Sequence, residues 1–190
     1  MDKPEFAKPK TSYRKLRCYQ KGVAIYDLTR LFLKNHIPPR DRTNDQMLQS
    51  ARSGKTNIVE GRSDAAVSLE MEIKLYGVAI GSLEELLNDY EDYMRTYNIP
   101  IWNRSHPRFE KMRNFCKSNN KTEVYVPLYS KLNDEKFCNM MLTLINQNLT
   151  MTRKLYELVK DDFLKFGGIR EQMYRARIEY RKQQENINQK

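Results

Sequence analysis

At 190 residues the chain is long enough for one domain with a real core, or for a helical bundle with appendages. Its hydrophobic content of 39% and charged content of 31% suit long helices with one wet face, and no apolar run approaches the roughly 18 residues of a membrane span. A formal net charge of +10 favours polyanionic partners, nucleic acid first among them.

Residues 1–13 read as a flexible basic arm carrying Lys8 and Lys10, with two prolines and little to bury. Charge from the second residue onward gives the expectation that no secretion signal is present. From about Arg14 to Lys34, Ala24, Ile25, Leu28, Leu31 and Phe32 recur at three- and four-residue spacings, so a helix is predicted with these side chains on one face. The prolines of "NHIPPRD" end it.

A second helix is predicted over about 42–60, with Met47, Leu48, Ala51 and Ile58 inward and Gly61 just past its end in a positive-φ cap. It contains "GKT" at 54–56, the tail of a phosphate-binding loop. The first glycine of that motif is missing, since position 49 is Gln49, and no strand-like run precedes it. Lys55 is therefore read as a helical residue.

Ser63 or Asp64 is expected to cap the third helix, which runs to about Tyr97. Leu69, Ile73, Tyr76, Ile80, Leu83, Leu87, Tyr90 and Met94 step by 4, 3, 4, 3 along it, a sustained seam. Leu75, Ala79, Ser82 and Leu86 form an adjacent stripe, so the helix has neighbours on two sides. Gly77 and Gly81 lie one turn apart, where a partner backbone is expected to approach closely.

Residues 99–132 are an irregular insertion, with a short helix expected in "HPRFEKMRNFCK". "TEVYVPLYS" alternates like a strand, but Pro127 and the lack of a partner predict an extended covering segment. Trp102 is expected to plug the end of the helical core. A fourth long helix from Asn133 repeats the 4, 3 rhythm through Phe137, Met141, Leu144, Asn148, Met151, Leu155 and Leu158. Ile145, Leu149, Thr152, Tyr156, Val159 and Phe163 lie alongside. Gly167 and Gly168 stop it, and residues 169–190 form a basic helical extension and tail. The fold class predicted is all-α: an up-and-down antiparallel four-helix bundle over 14–168 with an irregular insertion and a C-terminal helical extension.

Metal and nucleophile chemistry find little support. A di-metal carboxylate bundle needs Glu-x-x-His pairs, and neither His36 nor His106 follows a glutamate at that spacing. Cys18, Cys116 and Cys138 are odd in number and far apart, which fits free thiols in a reducing cytoplasm and no zinc site. No cofactor is expected. The acidic stretch around Glu84, Glu85, Asp89, Glu91 and Asp92 reads as a solvated face.

The basic segments are more informative. Arg170, Arg177 and Arg181 share a face of the last helix, with Arg175 and Lys182 beside them and Tyr174 and Tyr180 interleaved. Aromatic rings between cations can stack on unpaired bases. Arg14, Lys15 and Arg17 extend the basic arm. These residues are the candidate contacts to nucleic-acid backbone.

"TNIVEG" at 56–61, followed by "GSLEEL" at 81–86, carries a family resemblance. The chain resembles the four-helix-bundle proteins first noticed as products of intervening sequences in bacterial 23S ribosomal RNA genes, whose relatives include the accessory variability protein of diversity-generating retroelements. Ala51, Arg52, Ser53, Asn57, Ile58, Glu60 and Gly61 match one motif, and Ala79, Gly81, Ser82, Leu83, Glu85 and Leu86 the other. The first helix, "YQKGVAIYDLTRLF", is similar in character. Lys55 stands where the family usually has proline, and 99–132 departs from its pattern. Asn57 and Glu60 share a helical face and are expected to form a half-buried polar cluster with the start of helix three or Ser82.

The resemblance implies a basic homo-oligomer, a pentamer in the retroelement members, that helps a reverse transcriptase engage RNA and DNA. The function expected is therefore a cytoplasmic, non-enzymatic nucleic-acid-binding accessory protein. The alternative is a protein-interaction scaffold whose basic segments dock an acidic partner.

Overall fold

The computed structural model describes residues 11–65 and 68–188, and every regular element among them is helical. A 3-10 turn at Tyr13–Lys15 leads into α1 (Arg17–His36) and α2 (Arg42–Asp64), then α3 (Leu69–Thr96). Next come the short α4 (Phe109–Ser118) and α5 (Thr122–Tyr125), a 3-10 turn at Val126–Lys131, the long α6 (Asp134–Phe166) and α7 (Ile169–Asn188).

The four long helices α1, α2, α3 and α6 pack in a closed ring: α1 touches α2 and α6, and α3 touches α2 and α6. Neighbours run antiparallel. Gly54 faces Leu83 and Gly61 faces Tyr76 across α2 and α3, while Phe32 stacks on Phe137 across α1 and α6. The main core holds Ile25, Leu28, Phe32, Met47, Leu83, Leu86 and Tyr90, closed by Met141, Leu144 and Ile145 of α6. Each predicted stripe on α3 contributes fully buried residues, Tyr76 and Leu83 from one and Ala79 and Leu86 from the other.

Local chemistry sets the ends. Asp41 caps α2 by accepting from the Thr43 amide at 2.9 Å, and Asn133 caps α6 by accepting from that of Lys136 at 3.1 Å. Gly167 ends α6 at φ 72°, a backbone angle that suits glycine.

Several expectations are corrected. Gly61 is not a cap: α2 continues three residues beyond it, and Gly61 is buried against α3. Ser63 and Asp64 lie in α2, so the cap of α3 falls to Ser68, whose hydroxyl accepts from the Met71 amide at 3.1 Å. The close-approach glycines are Gly54 and Gly61, two turns apart on α2. A Cβ on Gly81 would meet nothing within 4 Å, and one on Gly77 only the Tyr156 ring at 3.9 Å. Leu158 leaves the α6 seam and is 61% exposed.

"TEVYVPLYS" is not extended. It forms α5 and the following 3-10 turn, because Tyr125 is buried and Tyr129, four residues on, packs partly buried against the core. Tyr125 donates to the Asn119 carbonyl at 2.7 Å and Tyr129 to that of Leu31 at 3.1 Å. Pro127 sits in the first turn of the 3-10 segment, where its missing amide costs little. Trp102 is buried against the first turns of α6, with its backbone amide on Asn139 and its indole N–H on Glu135, each at 2.7 Å.

Candidate nucleic-acid interface

The antiparallel arrangement gathers the start of α1, the end of α2, the start of α3 and the end of α6 at one end of the molecule. Arg62 of α2 ties them together. Its Nε donates to the Thr11 carbonyl at 2.9 Å, and its Nη1 reaches Glu72 Oε1 at 3.2 Å. Glu72 is fully buried and also accepts from the Tyr76 hydroxyl at 2.8 Å. Burial, with Glu72 beside it, pushes the Tyr76 phenol far above its ordinary range. A buried carboxylate is tolerated only when paired and hydrogen-bonded, and Arg62 supplies the countercharge.

On this end sit the exposed side chains of Arg14, Lys15 and Arg17. Arg14 lies over the Tyr13 ring at 5.3 Å. Lys8 and Lys10 fall outside the described residues. The hinge into α7 lies here as well, since Gly168 touches the Glu70 carboxylate near the start of α3. The Gly168 amide donates to Glu171 at 3.1 Å, and Gln172 donates to the Gly167 carbonyl at 2.8 Å.

Beyond this hinge α7 buries none of its described side chains. Arg170, Tyr174, Arg177 and Arg181 step by 4, 3, 4 and so share a face. All are exposed, as is Lys182. Arg170, Arg177, Arg181 and Lys182 form no ion pair among the described residues. Arg175 differs: its guanidinium donates to the Phe166 carbonyl, so it caps α6.

The motif residues of α2 and α3 form a small polar bridge. Asn57 donates to the Ser53 carbonyl and hydroxyl at 2.9 and 3.0 Å, and Ser82 donates to the same hydroxyl at 2.8 Å. Ser82 is thus joined to Asn57 through Ser53. Glu60 is exposed and takes no part, contrary to expectation: it points to solvent because Gly61, one residue on, is the position that faces α3. Glu85 accepts from Ser50 at 3.2 Å. Lys55 sets its ammonium 4.2 Å from the centre of the Tyr26 ring, as a helical residue can.

Two buried features were not anticipated. Glu72 is three residues after Leu69 and four before Tyr76, so the helical period already placed it inward. Lys21, three before Ala24 and four before Ile25, is likewise buried, and its ammonium donates to the carbonyls of Cys116 at 2.6 Å and Asn119 at 3.0 Å. Asn148, expected in the α6 seam, is fully buried, and its amide makes no hydrogen bond within the described chain.

Among the described residues no group of three or more His, Cys, Asp or Glu side chains could hold a metal ion. Burial pushes the thiols up, Cys18 to about 11 and Cys116 and Cys138 to about 12. Such thiols are inert. On the acidic face of α3, Glu84 pairs with Arg153 and Asp92 with Arg95. Desolvation, then the charges of Asp92 and Glu85, raises the Asp89 carboxyl. No described helix is long and apolar enough to cross a membrane. Comparison with protein-family models, with curated proteins and with solved structures found no match to the chain.

Proposed function

We propose that the protein is a basic, non-enzymatic, nucleic-acid-binding accessory protein built on an up-and-down four-helix bundle. The observation that carries this reading is α7: twenty residues of helix that bury no described side chain and display Arg170, Arg177, Arg181 and Lys182 without ion-pair partners. Most helical stability comes from packing an apolar face, and α7 leaves Met173, Tyr174 and Tyr180 exposed, apolar surface that a partner outside the chain can cover. Unpaired cations with exposed Tyr174 and Tyr180 between them suit a phosphate backbone with accessible bases. Arg14, Lys15 and Arg17 extend the same basic surface toward α1.

The exposed apolar residues Leu158 and Leu164 of α6 and Val78 of α3 support assembly as a homo-oligomer. The sequence resemblance supports a pentamer acting beside a reverse transcriptase. The test is retention on duplex DNA and on single-stranded RNA across a salt series. Neutralising about five phosphates gives a log–log slope near −4.5 on duplex and near −3.5 on single strands. Retention that does not change with salt sinks the reading. Loss of an acidic protein partner on deletion of residues 170–190, with nucleic-acid retention intact, replaces it by the scaffold reading.

A further inference from the structure

The irregular region between α3 and α6 forms an open pocket of about 380 Å³ between α4 and the first turns of α6. This lies within the range of about 300–1,000 Å³ typical of small-molecule sites. Its floor is apolar, made by Trp102, Phe115, Leu128 and Met140. Three cations stand at its rim: Arg108, Lys111 and Lys136. None of the three forms an ion pair among the described residues, and no acidic side chain lines the pocket. The nearby acids are engaged elsewhere, Glu110 with Arg113 at 3.0 Å and Glu135 with the Trp102 indole at 2.7 Å.

We propose that this pocket binds an organic anion with an aliphatic body, a medium-chain carboxylate being the simplest case. The chain lies on the Phe115, Leu128 and Met140 surface, and the carboxylate meets Arg108, Lys111 and Lys136. The lining favours an aliphatic body over a nucleobase. It offers no amide, hydroxyl or carboxylate to read a base edge, and the indole N–H of Trp102 is already committed to Glu135. Charge complementarity selects an anion over a neutral or cationic amphiphile.

Trp102 is the only tryptophan in the chain and lines both this pocket and a neighbouring one beside Arg113 and Asn139, so a change in its fluorescence is assigned to this site by Arg108, Lys111 and Lys136, which line this pocket and not the other. Decanoate, kept below its micelle concentration and titrated into the full chain, is expected to shift Trp102 emission saturably. 1-Decanol is expected to bind at least tenfold more weakly, and decyltrimethylammonium more weakly still. The triple variant Arg108→Gln, Lys111→Gln, Lys136→Gln is expected to keep its helical circular dichroism and lose at least tenfold in decanoate affinity, with decanol unchanged. Equal binding of decanoate and decanol overturns the proposal, as does undiminished decanoate binding by the triple variant. So does a Trp102 response to a short single-stranded oligonucleotide but not to decanoate, or one that tracks protein concentration alone, which makes a second copy the occupant.

Discussion

The ammonium of Lys21 on α1 lies 2.6 Å from the carbonyl oxygen of Cys116 in the last turn of α4. It also reaches the Asn119 carbonyl at 3.0 Å. A cation thus sits on the negative end of a helix dipole, inside the protein. Tyr125 donates to the same two carbonyls, at 3.4 and 2.7 Å. Residues 99–132 are therefore latched to α1 at a buried point, beside the part-buried bonds of Thr122 to Asp27 and of Tyr129 to the Leu31 carbonyl. Lys21→Met is expected to cost about 1–3 kcal/mol, the value of losing buried hydrogen bonds to a charged group. Hydrogen exchange should quicken in α4 and α5 before α2 or α3. Uniform loss of protection across all the helices would contradict the latch.

Lys21 also carries a pH signature. Burial lowers its pKa from 10.5 to about 8. Between about pH 8 and 10.5 the unfolded chain then binds more protons than the folded one, so this group makes stability rise with pH. Below pH 8 both states are charged and the contribution is flat. The stability difference between the native chain and Lys21→Met, measured by urea melts at pH 7 and pH 9.5, should shift in favour of the native chain at the higher pH. A neutral amine can still donate to both carbonyls, which is why the latch survives deprotonation. The thiols of Cys18, Cys116 and Cys138 act oppositely, since burial holds their protons in the folded state and stability falls above about pH 9. Cys18 and Cys138 are common to both proteins and cancel in the difference; Cys116 lies beside Lys21, but burial keeps its thiol protonated in both folded proteins at pH 9.5, so its contribution largely cancels as well.

Gly61 and Gly81 should respond in opposite directions to alanine. A Cβ on Gly61 would come 2.9 Å from the Tyr76 ring, and that ring is fully buried and anchored through its hydroxyl to Glu72. Overpacking costs about 1–3 kcal/mol, which outweighs the roughly 1 kcal/mol gained by replacing a helical glycine. Gly81→Ala meets nothing within 4 Å and should stabilise by about 0.5–1 kcal/mol. Thermal melts of the two variants decide it. A destabilised Gly81→Ala would mean that another subunit approaches there.

The contrast between these glycines shows where the sequence is legible. The 3.6-residue period located Tyr76, Leu83, Phe137 and Met141 on buried faces, because burial of one helical face is a local and repeated signal. It could not say which glycine faces a neighbour, since that depends on how α2 and α3 rotate about their axes. The same pattern placed Lys21 and Glu72 inward, but a charged residue at one buried position looks like a break in the pattern until its partner is seen. Arg62 and the Cys116 carbonyl are 10 and 95 residues away from them in sequence. The alternation in "TEVYVPLYS" misled for a related reason: Tyr125 and Tyr129 fit period 2 and period 4 alike. On the candidate interface, the exposed face of α7 was legible from spacing alone, while the diversion of Arg175 to cap α6 rests on the turn at Gly167.

Breaking the Arg62–Glu72 pair should be costly. Glu72 is fully buried, and Arg62 is the cation 3.2 Å from it. Arg62→Met leaves a buried carboxylate without that charge, a loss of about 3–5 kcal/mol for pairs of this kind. It also frees the Thr11 carbonyl, so the segment leading into α1 should loosen. Replacing Arg62 by Met and Glu72 by Leu together should recover much of the loss, because the carboxylate is then gone too. A double variant no more stable than Arg62→Met would show that other contacts of Glu72 carry the energy.

The cations of α7 and of the α1 entry can be apportioned by salt dependence. Each lysine or arginine that neutralises a phosphate contributes about 0.9 to the log–log slope on duplex DNA. Arg170→Ala, Arg177→Ala and Arg181→Ala combined should lower its magnitude by about 2.7, with little change in stability, because none of these side chains is buried or paired. Arg175→Ala should behave differently. Its guanidinium caps α6 through the Phe166 carbonyl, so its loss should loosen the hinge and change the slope little. Tyr174→Ala should weaken single-stranded RNA by about 1–3 kcal/mol if a base stacks on the ring, and leave duplex binding nearly unchanged. Equal losses on both nucleic acids would assign Tyr174 to the backbone, and a slope that does not respond to the triple change would move the phosphate contacts off α7.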